Sequence, residues 1–206
     1  MVTTNQNGFY GKKRWNTPEA EFIFGGIDHD VYDGKIAYFS LPTCEYGASP
    51  YWKTRMNCVK LGQLVDIKLA HKSLASFSSN GNFITGPERQ VELLHEGMGA
   101  HYDDASGTYH IKCCEAEKLP DLTFTFDHYQ VSLPPSLWTK ENDDEGEICH
   151  TLIAGNSNEK EWSLGGAFLN NFYHIYDQSN LKVGLALPKG ESNAKIKKIG
   201  SRNKNN

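Results

Sequence analysis

Short apolar runs separated by glycine, aspartate and asparagine occur along most of the chain, a pattern typical of strands joined by tight turns. The pattern predicts strand pairs in residues 21–41 and 57–70 and a hairpin in residues 122–133. In residues 162–177 a strand is predicted to reach two glycines, pass into a short helix and return as a strand. A further strand is predicted for residues 181–187. The order of these segments favours a mostly β protein.

One segment has a helical rather than a strand period. Val91, Leu94 and Met98 recur at spacings of three and four, which places them on one face of a helix. Pro87 suits the first position of that helix, and Gly99 suits the position just after its end. The sequence therefore predicts one amphipathic helix in addition to the short one.

Composition and charge narrow the class of protein. The chain has 206 residues, 38% of them hydrophobic, and a formal net charge of -4, which argues against a nucleic-acid partner. No apolar run approaches the roughly 18 residues of a membrane span, so no membrane-spanning helix is expected. The first residues lack the apolar stretch of a secretory signal. We expect residues 1–20 to form a flexible arm and residues 189–206 a basic, disordered tail.

The spacing of the cysteines gives little support for a metal site. Cys113, Cys114 and Cys149, together with His110 and His150, are residue types that bind metal ions. Adjacent cysteines rarely both bind one ion, however, and the chain has no C-x-x-C spacing. We therefore expect no metal and no other cofactor. One or two disulfides are the alternative use of the cysteines, although five cysteines leave at least one without a partner in the chain.

Four segments of the chain carry short motifs whose order and spacing are informative together. Residues 21–41 contain Gly-Gly-Ile-Asp and later Tyr-Asp-Gly, and residues 83–87 read Phe-Ile-Thr-Gly-Pro. Residues 107–126 include a cysteine and Leu-Pro-Asp before an apolar run, and residues 162–187 contain Leu-Gly-Gly, Phe-Leu and Val-Gly-Leu-Ala. In this order and spacing they resemble the C-terminal lobe of a pepsin-like aspartic protease.

The resemblance covers about residues 21–188 and implies a mostly β, single-lobed fold, the β-barrel-like fold of the acid proteases. It implies a disulfide between Cys113 and Cys149 and leaves a pairing of Cys44 with Cys58 open, with Cys114 free. Members of the family are usually secretory, vacuolar or lysosomal, whereas this chain shows no signal for that route.

The resemblance also places the family's second catalytic loop, which reads Asp-Thr-Gly-Thr-Ser and precedes Thr-Gly-Pro. Counting back from that Thr-Gly-Pro assigns the loop to Ser78, Ser79, Asn80, Gly81 and Asn82. Ser78 then stands where the family has its aspartate. Sliding the alignment by one residue aligns Gly81 with the motif glycine and puts Ser79 in the place of the acid. Neither register has a carboxylate.

The absence of a carboxylate bears directly on catalysis. Proteases of this family use two aspartates that share one proton, because two carboxylates so close together cannot both ionise. A serine hydroxyl holds no such proton, and the chain has no Asp-Thr-Gly or Asp-Ser-Gly elsewhere. The usual Leu-Gly-Asp is also altered, with Gly166 in place of the aspartate.

We expect a catalytically inactive lobe, without the N-terminal lobe, that acts by binding a peptide or protein. An exposed apolar face is expected to receive a partner lobe or a second copy. The alternatives are aspartic endopeptidase activity when the chain is paired with a separate N-terminal lobe, or a gene fragment without a function.

Overall fold

The computed structural model describes residues 6–11, 20–44, 47–48, 52–142, 146–190 and 192–200. Its strands are β1 (Gln6–Gly11), β2 (Ala20–Phe24), β3 (Tyr32–Ser40), β4 (Thr43–Cys44), β5 (Gly47–Ala48), β6 (Lys53–Leu61), β7 (Val65–Lys68), β8 (Leu74–Phe77), β9 (Ile84–Pro87), β10 (His101–Asp103), β11 (Thr108–Lys112), β12 (Leu122–Phe126), β13 (Tyr129–Leu133), β14 (Thr139–Glu141), β15 (Ile148–Thr151), β16 (Ile153–Asn156), β17 (Glu161–Leu164), β18 (Tyr173–Asp177), β19 (Lys182–Pro188) and β20 (Lys195–Lys198). The helices are α1 (Glu88–Met98), α2 (Cys113–Ala116) and α3 (Gly166–Leu169), with a 3₁₀ turn at Pro135–Leu137.

Three sheets of four or more strands carry the fold. The largest has nine strands in the order β16-β9-β17-β8-β6-β12-β13-β20, with β7 paired to β6. A five-stranded sheet runs β2-β1-β18-β19-β3, and a four-stranded sheet runs β10-β11-β15-β14. The predicted strand pair in residues 57–70 forms as β6 and β7, and the predicted hairpin as β12 and β13. The mostly β class is confirmed.

Side-chain alternation explains why these segments become half-buried strands. In β12, Leu122, Phe124 and Phe126 are buried, while the threonines between them are partly exposed. A strand projects successive side chains to opposite faces, so this sequence directs its apolar residues into one core. Trp138 and Trp162 are fully buried at 0% exposure, and each indole N–H has a hydrogen-bond acceptor.

The predicted amphipathic helix is α1, which follows Pro87 directly. Val91, Leu94 and Met98 are buried along one face. Gly99 ends the helix with φ 74°, the left-handed conformation that glycine adopts without strain. The predicted short helix is α3, which has four residues, and α2, also of four residues, was not predicted.

Both ends of the chain contain strands, which corrects the expectation of a flexible arm and a disordered tail for these parts. Strand β1 pairs with β2 and β18, and β20 pairs with β13. Ala194, just before β20, is only 2% exposed and packs in the core. The lysine-rich sequence of β20 hides this strand, because backbone pairing does not depend on apolar side chains. Residues 1–5, 12–19, 191 and 201–206 of the predicted arm and tail lie outside the described residues.

The structure contains the disulfide that the resemblance implied and a free Cys114, but not the second cysteine pair that was left open. Cys113 and Cys149 form a disulfide. Cys58 is a buried free thiol that donates a hydrogen bond to Asp66 at 3.2 Å, so the possible pair with Cys44 does not form. Burial, together with this hydrogen bond, raises the pKa of the Cys58 thiol to about 11. Cys114 is free and exposed, and the side chain of Cys44 lies outside the described residues.

No helix in the part of the chain that the structure describes is long and apolar enough to cross a membrane.

Candidate functional site

Residues 78–82 lie in the loop that connects β8 to β9, next to β17. Strand β17 lies between them, parallel to β8 and antiparallel to β9. The chain therefore leaves β8, passes over the end of β17 and returns as β9. All five residues assigned from the sequence are brought together in this loop.

Backbone hydrogen bonds fasten the loop to the last residue of β17 and to the segment that follows it. The Ser78 N–H donates to the Leu164 carbonyl at 3.2 Å, and the Gly166 N–H donates to the Gly81 carbonyl at 2.9 Å. The Ala167 N–H donates to the Asn82 carbonyl at 2.7 Å. The end of β17 and the start of α3 thus hold the loop through backbone groups, which every residue type in the loop except proline possesses.

Two glycines are required by close approach at this site. A Cβ at Gly165 would lie 2.2 Å from the Phe83 carbonyl oxygen and 2.6 Å from that of Gly81. A Cβ at Gly86 would lie 2.6 Å from the indole ring of Trp162. A backbone oxygen and a buried ring cannot retreat as the end of a flexible side chain can, so both positions exclude larger residues.

The neighbouring Gly166 differs from these two glycines in which atoms a larger side chain would meet. A Cβ there would lie 2.5 Å from Oδ1 of Asn82, which is the end of an exposed side chain. Rotation of Asn82 would relieve this contact. A larger residue at this position would displace the Asn82 side chain and would also lie 3.3 Å from the Asn82 Cα and from the Asn170 Nδ2.

The chemistry available in the loop is neutral hydrogen bonding. Ser78 is half-buried, and its Oγ accepts a weak hydrogen bond from the Asn80 N–H at 3.4 Å. Ser79, Asn80 and Asn82 are exposed. The hydrogen bonds of the described residues give Ser78 no histidine partner that would activate its hydroxyl. Hydroxyls and amides of this kind bind peptide groups but do not carry the charge of a carboxylate.

An exposed aromatic pair lies on another edge of the molecule. Phe22 and Phe24 on β2 are 47% and 74% exposed, and their rings meet edge to face with centroids 4.5 Å apart. Strand β2 is at the end of the five-stranded sheet, so its outer backbone groups have no neighbouring strand in that sheet. The sequence analysis predicted an exposed apolar face without locating it, and the apolar run Phe22-Ile23-Phe24 was the available signal.

The fold agrees with the class of protein that a comparison with known families identifies. A model of the eukaryotic aspartyl protease family matches residues 1–188, and the chain belongs to that family. The structure is a single-lobed, aspartyl-protease-like domain.

Curated relatives agree with this class. Gastricsin of Macaca fuscata fuscata is 28% identical over 166 residues, with 80% of this chain and 42% of the relative covered. Pepsin A of Sus scrofa is 27% identical, covering 80% and 41%. Cathepsin E of Cavia porcellus is 27% identical, covering 81% and 42%. The chain thus spans less than half the length of these relatives.

Proposed function

We propose that this chain is a non-catalytic lobe of the aspartic protease family that binds an extended peptide or a protein segment. The observation that carries the proposal is the loop of residues 78–82. Its backbone is held by α3 through ordinary hydrogen bonds, yet no position in it has a carboxylate. The frame of a catalytic loop is kept while its acid is replaced, Ser78 standing in that place.

Replacement of the acid removes the reaction chemistry. In this class one carboxylate takes a proton from water while the other donates a proton to the peptide carbonyl. The hydroxyl of Ser78 is neither charged nor an acid near the working pH, and each tenfold loss of rate corresponds to about 1.4 kcal/mol in the transition state. Binding of a peptide backbone needs only donors and acceptors, which the loop retains.

Binding and cleavage are separated by one experiment on the purified chain. Fluorescently labelled casein peptides are titrated by polarisation at pH 5 to 7, and the same samples are analysed by mass spectrometry after long incubation. Saturable binding with intact peptides is expected. Gly165→Ala, which displaces the loop, should weaken binding, whereas Gly26→Ala should not, because its Cβ would meet nothing within 4 Å. Cleavage that a statine-type peptide inhibits would overturn the proposal, as would the absence of binding.

A second candidate function is endopeptidase activity after pairing with a separate N-terminal lobe. Two observations favour it: the exposed Phe22–Phe24 pair on an edge strand, and the coverage of only about two fifths of each relative. An edge strand next to an apolar pair is suited to continue a sheet into a partner.

The second candidate is tested by mixing the chain with the separately produced N-terminal half of Sus scrofa pepsin A. Wild type should form at most an inactive complex, and Ser78→Asp should produce activity if Ser78 holds the place of the acid. Ser79→Asp is the matched control for the register that is shifted by one residue. Activity of the wild-type mixture would establish the endopeptidase function and refute the non-catalytic one.

A further inference from the structure

Three histidines form a row across the four-stranded sheet, away from the loop of residues 78–82. His101 on β10 is directly opposite His110 on β11, and His110 is directly opposite His150 on β15. Lys140 on β14 is opposite His150 and ends the row. Residues directly opposite each other in antiparallel strands project to the same face, with Cβ atoms about 5 Å apart. We name His101, His110 and His150 the histidine row.

The histidine row lies on the outer face of this sheet. The alternate residues Ile111 and Cys149 are buried at 4% and 6% exposure, so they occupy the core face. His101 is exposed, whereas His110 and His150 are half-buried. Solvent therefore reaches the row, and an ion is able to enter it from one side.

The surroundings of the row hold its imidazoles in different ways. The Nε2 of His110 lies 3.1 Å from the hydroxyl oxygens of both Ser106 and Thr108, which orient the ring. The Nδ1 of His150 is buried and has no hydrogen-bond partner within the described part of the chain. Burial, His110 and Lys140 together lower the pKa of His150, and the neutral imidazole is the form that binds metal ions.

We propose that the histidine row binds a divalent transition metal ion, with imidazole nitrogens of His101, His110 and His150 as the protein ligands. Imidazole favours Zn²⁺, Cu²⁺ and Ni²⁺ over Mg²⁺ and Ca²⁺, which prefer oxygen ligands. Three histidines leave a position of a tetrahedral zinc site for water or another ligand.

Binding requires the side chains to rotate toward one another. As they stand, no three His, Cys, Asp or Glu side chains of the described residues are placed to share an ion. The register brings the backbones into range, and the exposed His101 ring has space to turn. Asp103 interacts electrostatically with His110 and supplies negative charge beside the row, which offsets the repulsion from Lys140.

Calorimetric titration of the 206-residue chain with ZnCl₂ and with CuCl₂ tests the proposal. One ion per chain is expected to bind, and His110→Gln should weaken the affinity at least about tenfold, equal to about 1.4 kcal/mol. His128→Gln removes an exposed histidine from the turn after β12 and should leave the affinity unchanged. Thermal melting without metal checks that both variants are folded, and zinc should raise the melting temperature of His128→Gln by more than that of His110→Gln.

The free thiol of Cys114 is the competing ligand in this experiment. Cys114→Ser should keep the wild-type affinity if the histidine row is the site. Loss of binding in that variant, wild-type affinity in His110→Gln, or no binding of either metal at millimolar concentration would each overturn the proposal.

Discussion

Buried His95 should make this lobe lose stability in mild acid. The side chain is 1% exposed and lies on Tyr109, with ring centroids 3.6 Å apart. Its Nδ1 donates to the Val91 carbonyl at 2.8 Å, so the neutral ring accepts at Nε2 from the Thr151 hydroxyl, also at 2.8 Å. Protonation would place a charge in this apolar setting and turn the Nε2 acceptor into a donor.

The magnitude follows from the difference in proton affinity between the two states. Burial lowers the pKa of His95 from 6.5 to about 4. Below pH 6.5 the unfolded chain therefore binds a proton that the folded chain refuses, so the free energy of unfolding falls as the pH falls toward 4. One pKa unit corresponds to 1.36 kcal/mol, so His95 alone should cost about 2 kcal/mol between pH 7 and pH 4.5.

Buried His174 adds to this effect in the same direction. It is 3% exposed, and burial lowers its pKa to about 4 as well. Two such groups together would cost about 4 kcal/mol, which approaches the whole stability of a small domain. Peptide-binding or cleavage assays on this chain should therefore be run above the pH at which it unfolds.

Urea unfolding followed by tryptophan fluorescence measures the effect, because Trp138 and Trp162 are fully buried. The decisive quantity is the loss of unfolding free energy between pH 7 and pH 4.5, compared between variants. In His95→Gln this loss should be about 2 kcal/mol smaller than in wild type, whatever its stability at pH 7. His128→Gln should show the wild-type loss. An equal loss in His95→Gln and wild type would refute the reasoning.

Two further substitutions test packing by thermal and urea denaturation. Gly86→Ala should destabilise the fold by about 1 to 3 kcal/mol, since its Cβ would overlap the ring of Trp162, whereas Gly26→Ala should be nearly neutral. A near-neutral Gly86→Ala would show that the ring can move. Ala194→Asp buries an unpaired charge and should cost at least about 3 kcal/mol, while Asn193→Asp next to it is exposed and should cost little. Equal effects of these two would contradict the ordered position of Ala194.

The sequence alone determined the elements in which the spacing of apolar residues shows which side chains are buried. The spacing of Val91, Leu94 and Met98 predicted α1, and the alternation around Phe124 predicted the hairpin, because periods of 3.6 and two residues are local properties. The sequence also showed that residues 78–82 contain no carboxylate, because this needs only the order of the residues before Gly86.

Tertiary structure decided what depends on pairing between distant segments. The sequence around Cys58 does not show that its thiol forms a hydrogen bond with Asp66 rather than a disulfide with another cysteine. The sequence around Ala194 likewise does not show that this residue is buried. The hold of residues 164–167 on the loop, and the alignment of His101, His110 and His150, follow from strand register. A shift of one residue in any of these strands would turn the histidines to the opposite face, and only the packed sheets set that register.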